Sequence, residues 1–241
     1  MKKFLRTMLC MLLALSMLVC FAACDSEDKD KDKEKNEEKA ASAAEDILEA
    51  AIKEETAKSF SFDKEKAIFN DFGGDDVDDI YKILKKSNVE SEKTATKENM
   101  VKTYTKSYGD DYKFSYETDS TDEMDKDMME QFGDDLNDYG KKLAKAVKNL
   151  DAEDLANAMD ISESDAEKFL KAVKAFAETM EEAEVTDGVL LNYTYIIKGS
   201  KVDEDDEEVL QVIAAYKVDD CWISVHVINL VDDYISMLED I

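Results

Sequence analysis

The stretch 209-VLQVIAAYKVDDCWISVHVI-228 decides the fold. Two runs rich in β-branched and aromatic residues, Val209 to Lys217 and Cys221 to Ile228, flank Asp219-Asp220. Two short polar residues between such runs predict a tight hairpin. Upstream, Val189 to Lys198 is a third run of the same character, joined to the first by the acidic loop Asp203-Glu204-Asp205-Asp206-Glu207-Glu208. These three runs predict an antiparallel meander that closes the chain. Further back, Tyr112-Lys113-Phe114-Ser115-Tyr116-Glu117 alternates aromatic and polar side chains, the pattern of a half-buried strand.

The remaining folded sequence reads as helix. Ile47, Leu48, Ala51 and Ile52 recur at helical spacing between Ala44 and Lys58. Asp63 to Phe72 predicts a short helix ended by Gly73-Gly74, and Val77, Ile80, Tyr81 and Leu84 share one face of a third. Thr96 is the expected cap of a fourth, carrying Met100, Val101, Tyr104 and Tyr108 and stopping at Gly109. From about 122 to 184 apolar residues again follow three/four spacing, weakened by Gly133 and Gly140, with a capping box at Ser162-Glu163-Ser164-Asp165. Asn229 is the expected cap of a last helix with Leu230, Val231, Tyr234, Ile235 and Leu238 inward. Helices, then a strand, a helical excursion and a closing meander predict an α+β fold. It is one domain over 45–241, with N-terminal helices packed on a curved antiparallel sheet and a long helical insertion at about 122–184.

The N-terminus reads differently. Lys2, Lys3 and Arg6 precede an apolar run, Met8 to Ala23, shorter than the ~20 residues a membrane span needs. This is the pattern of a secretory signal over residues 1–23. It ends in Ala22-Ala23-Cys24, small residues before a cysteine, which resembles the lipobox of bacterial lipoproteins and makes Cys24 the expected lipidation site. Phe21 stands where that motif usually has Leu. Residues 24–44, without a bulky apolar side chain, read as a charged, disordered tether, with a frayed helix of alternating charge as the alternative. Cleavage leaves Cys24 and Cys221; with Cys24 carrying lipid, Cys221 has no cysteine partner and there is no disulfide framework.

The chain carries a formal charge of −28. Residues 1–23 hold three cations and no acid, so the rest sets 28 lysines against 59 acids, a charge of −31. Such a field repels nucleic acid. Arg6 is the sole arginine and proline is absent, so arginine-based phosphate recognition has no residue to use downstream.

Few residues stand out for chemistry. His226 is the only histidine, and Cys221 lies five residues before it on one expected strand, which puts the two on opposite faces and argues against a nucleophile pair. No ordinary zinc set exists with one histidine and one free thiol. The acidic runs at 75–79, 134–135 and 203–208 lack the glycine that a calcium loop needs at its sharp turn. Neither a metal nor a cofactor is expected. Tyr112, Phe114, Tyr116, Tyr193 and Tyr195 are candidates to line a ligand cavity at the mouth of the sheet, with core packing as the alternative. Five methionines, Met124, Met128, Met129, Met159 and Met180, fall in the insertion, suited to core filling or to a partner surface.

The lipobox with its charged tether, the segment YGDDYKFSYE (108–117) and the closing VIAAYKVDDCWISV (212–225) together resemble clostridial-type lipoproteins with a cystatin-like or nuclear-transport-factor-like domain. Val218, Asp219 and Trp222 match the last hairpin of that pattern, with Asp220 in place of its glycine. The resemblance covers roughly 45–120 and 185–228 and implies a curved sheet wrapped on a long N-terminal helix. It implies no assigned activity. The expectation is therefore a lipid-anchored protein on the outer face of a cell membrane. Its domain would be non-enzymatic and bind an unidentified envelope protein or small ligand, but no nucleic acid. A hydrolase using paired carboxylates is the alternative.

Overall fold

The computed structural model describes residues 31–202 and 207–241. It is an α+β fold. In chain order the helices α1 (Lys31–Glu55), α2 (Phe62–Ala67), α3 (Gly74–Leu84) and α4 (Val89–Tyr108) precede strand β1 (Lys113–Glu123). Three helices follow, α5 (Lys126–Lys148), α6 (Ala152–Met159) and α7 (Glu163–Glu182). The chain closes with β2 (Val185–Lys198), β3 (Glu207–Val218), β4 (Cys221–Ser224) and α8 (Val225–Glu239). The strands form one antiparallel sheet in the order β1-β2-β3-β4.

The register explains how one sheet serves two cores. Val189 faces Ala215 and Leu191 faces Ile213 across β2 and β3. These four pack with Ala40, Ala44, Ile47, Leu48 and Ile52 of α1, flanked by Tyr116, Tyr193, Tyr195 and Trp222. The alternate residues point the other way. Leu190, Ala214, Tyr216 and Ile223 join the larger core, built with α3, α5, α7 and α8. On that side Phe132 of α5 stacks on Tyr216 of β3, with centroids 3.7 Å apart and rings 5° from parallel. The run Val189-Leu190-Leu191 is continuously apolar because both faces are covered there. Past it, the second face turns polar. Asn192 donates to Asp122 at 2.7 Å and to Ser120 at 3.1 Å, and Thr194 donates to Asp119 at 2.9 Å.

Several expected boundaries move. The segment 31–44, read as tether, is helical, and Ala40 and Ala44 are buried against the sheet. Alanine loses almost no side-chain entropy on burial and lets a helix approach closely, so a packing face exists without bulky residues. Residues 24–30, and with them Cys24, lie outside the described residues. Helix α4 begins at Val89, not near Thr96; only Val89 and Lys97 along it are buried, so its weak apolar periodicity leaves the start unmarked in the sequence. β1 runs to Glu123, so the helical insertion begins at Lys126.

The largest correction concerns the last strand. Cys221 to Ile228 is not one strand: β4 ends at Ser224 and α8 starts at Val225. The Ser224 hydroxyl accepts the backbone N–H of His226, as an N-cap does, and takes the place expected of Asn229. Val225, Val227 and Ile228 favour strand locally, yet Val227, Ile228, Val231, Tyr234, Ile235 and Leu238 bury a helical face. The hairpin itself stands: Asp219 takes the left-handed conformation, φ 51°, that such tight connections require. One half of the box at Ser162 is present, its hydroxyl accepting the Asp165 N–H at 3.1 Å.

Candidate functional site

Glu65 is the most unusual ionisable residue in the interior. It sits on the six-residue helix α2, and only 3% of it is exposed. Its Oε1 accepts from the Tyr81 hydroxyl of α3 at 3.1 Å and the Tyr234 hydroxyl of α8 at 2.5 Å. Its Oε2 accepts from Lys93 of α4 at 2.7 Å. The Lys93 ammonium also lies 4.6 Å from the centre of the Tyr234 ring. One carboxylate thus ties four helices together. Burial pushes both phenols well above their ordinary pKa, so they remain donors. Every group in this cluster is satisfied from inside the protein, which suits a structural clamp. No feature of the sequence around Glu65 distinguishes it from its 58 acidic counterparts, and the sequence reading passes over it.

A small apolar cavity of about 30 Å³ adjoins the clamp, lined by Tyr81 and Tyr234 together with Phe69, Val77, Leu143 and Phe176 among others. That volume holds about one or two waters at most, and an apolar wall offers them no partners. A wider surface depression of about 590 Å³ lies over the α2–α3 turn, between Asp63, Lys66, Asn70, Asp71, Asp75 and Asp78. Asn70, Asp71, Gly73 and Gly74 all take positive φ there, and Asn70 donates to the Trp222 carbonyl at 2.8 Å, tying the turn to β4. Lys66 pairs with Asp78, whose carboxyl is held below its usual range by the hydrogen bond from Lys66. Among the described residues no group of three or more histidines, cysteines or carboxylates is arranged to hold a metal ion. Residues 203–206, most of the third acidic run, lie outside the described residues.

The five aromatics expected at a cavity mouth lie on or beside β1 and β2 and make ring contacts in two groups. Phe114 stacks on Tyr195 with centroids 5.5 Å apart, Tyr112 meets Phe114 edge-on at 5.3 Å, and Tyr116 meets Tyr193 at 6.4 Å. Tyr104 of α4, which the sequence reading placed on a helix face but not in this set, joins them at 5.2 Å from Phe114 and 5.8 Å from Tyr112. Tyr112 is buried, and the Lys58 ammonium lies 5.0 Å from its ring centre. Tyr112 and Phe114 meet α4 through Tyr104, whereas Tyr116, Tyr193 and Tyr195 pack beside the core that α1 makes with β2 and β3. Both the cavity and the depression described above lie elsewhere.

Cys221 and His226 occupy different elements, β4 and α8. His226 Nδ1 lies 2.9 Å from the Ser224 hydroxyl, which accepts the His226 N–H and can donate its proton to the neutral ring. Burial holds the imidazole below its ordinary pKa. Burial, with Asp71, Asp220 and Asp219, pushes the Cys221 thiol up, away from the thiolate a nucleophile needs.

No helix among the described residues is long and apolar enough to cross a membrane. No family model, curated protein or solved structure matches the chain.

Proposed function

We propose that the protein is a lipoprotein held by Cys24 at the outer face of a cell membrane, and that its folded part is a binding or interaction domain without catalytic activity. The observation that carries the anchoring is the signal-like N-terminus ending in Ala22-Ala23-Cys24. Support for an interaction role comes from how the buried ionisable groups are used. Glu65 is shared among three donors, and Lys97 donates to the Glu54 carbonyl at 2.6 Å. His226 meets the hydroxyl that caps its own helix. Glu65 and Lys97 hold helices together, and His226 serves the start of its own helix.

The test is fractionation of cells producing the native chain or Cys24→Ser, together with labelling by a radioactive fatty acid. We expect label and membrane association in the native chain. The variant should lose the label and appear in the soluble fraction or as unprocessed precursor. A Cys24→Ser chain that is processed and still membrane-bound would overturn the anchoring.

A further inference from the structure

We propose that the free edge of β1 is a docking strand for an extended, lysine- or arginine-rich segment of a partner protein; this rests on the interaction-domain reading above and names the partner's chemistry. β1 pairs with β2 along one edge, from Lys113 opposite Lys198 to Glu123 opposite Val189. It ends the sheet, and no other strand among the described residues takes its second edge. Eleven residues make a template about 36 Å long at ~3.3 Å per residue. Thr118 to Glu123 are exposed, and of the preceding side chains only Phe114 and Tyr116 are half-buried. An open edge offers backbone donors and acceptors to any extended chain, whatever its sequence.

Charge selects the occupant. Between Asp110 and Asp127 eight carboxylates stand against two lysines. A second copy laid on this edge would set acid against acid. An extended chain with basic side chains would relieve the repulsion and be steered to the site. Two of the eight carboxylates are also ordered in advance, by side chains of β2. Thr194 holds Asp119 and Asn192 holds Asp122, so part of the ordering cost is met before a partner arrives. The register shift between Thr118 and Ser120 bends the edge and divides it into two short ladders.

The experiment uses the full chain in detergent and a labelled, end-blocked decapeptide of alternating Lys and Thr. The control is the same peptide with every backbone nitrogen methylated, which keeps the charge and removes the donors. Fluorescence anisotropy at ~0.15 M salt should show the unmodified peptide binding at least roughly tenfold tighter than the control. Hydrogen exchange at β1 amides should slow with that peptide alone. Glu117→Lys, and separately Ser115→Lys with Glu117→Lys, change exposed side chains only and should weaken binding by roughly tenfold or more with far-UV circular dichroism unchanged. Equal binding of both peptides would reduce the effect to diffuse attraction by a polyanion and overturn the proposal. So would unchanged binding in folded variants, or slowed β1 exchange on self-association without peptide. Capture of the same envelope proteins by the native chain and by Glu117→Lys would overturn this edge as the docking site while leaving the interaction reading intact, and fatty-acid labelling at Cys24 reads out the anchoring separately.

Discussion

At Glu65 a single side chain carries interactions that the backbone cannot supply. Removing a partner from a buried charged cluster costs more than the cluster contributes, because the remaining groups stay buried and unsatisfied. We therefore expect Glu65→Ala to lower the unfolding free energy by about 3–5 kcal/mol and Tyr234→Phe by about 1.5–3 kcal/mol, both read from urea denaturation. A loss under about 0.5 kcal/mol in both would show that the clamp is dispensable. His226 gives a pH test. Its folded-state pKa lies below the ordinary 6.5, so the unfolded chain takes up the proton more readily. Its contribution is complete above about pH 6.5 and is lost as pH falls from there through the folded-state value. Stability of the native chain minus that of His226→Gln should therefore shrink between pH 7 and pH 5; a constant difference would mean that the imidazole does not titrate on unfolding.

Helix packing turns on one residue that weakens a helix when considered alone. A side-chain carbon at Gly140 on α5 would lie 2.8 Å from the Ala177 carbonyl oxygen and 2.9 Å from the Glu181 nitrogen on α7. The two helices touch by backbone at that point, and glycine is what permits it. Gly140→Ala should cost about 1–3 kcal/mol by forcing α5 and α7 apart, despite the better helix propensity of alanine. Gly133, seven residues earlier, has only ordinary contact with Val185 at 3.5 Å, so Gly133→Ala should be neutral or stabilising by up to ~1 kcal/mol. Thermal unfolding of the two variants side by side decides this; equal effects would remove the crossing as the cause. Along α1, Leu48 is 1% exposed, and Leu48→Ala should cost about 2–5 kcal/mol through the cavity it leaves against β2 and β3.

Across the whole molecule, 59 acids against 31 basic residues make charge repulsion a standing cost of compactness. The surface ion pairs, such as Lys82 with Asp79 and Lys126 with Glu130, are exposed and individually weak. Salt screens both, but the excess of one sign makes the repulsion larger. The melting temperature should therefore rise as sodium chloride goes from ~0.02 to ~0.5 M, by about 2–4 °C for each kcal/mol of repulsion removed. A falling melting temperature would mean that attractive pairs outweigh the net charge. Calcium should act in the same way, with weak and salt-sensitive binding and no saturable one-to-one isotherm by calorimetry at physiological salt.

The sequence by itself determined the α+β class, the four strand positions to within a few residues at most ends, and the hairpin at Asp219-Asp220. These follow from alternation of period two, helical period and turn chemistry, all of which act between near neighbours in the chain. It also brought Tyr112, Phe114, Tyr116, Tyr193 and Tyr195 forward as one set, because strand alternation carries that information. Only the tertiary structure decided that the chain turns to helix at Ser224, since Val225 and Val227 satisfy either state until the larger core claims a helical face. The same holds for Ala40 and Ala44, whose packing depends on a sheet made about 150 residues later. It holds as well for Glu65, whose partners stand 16, 28 and 169 residues away. Burial depends on which distant surfaces meet, and that is set by the whole fold, not by any local pattern.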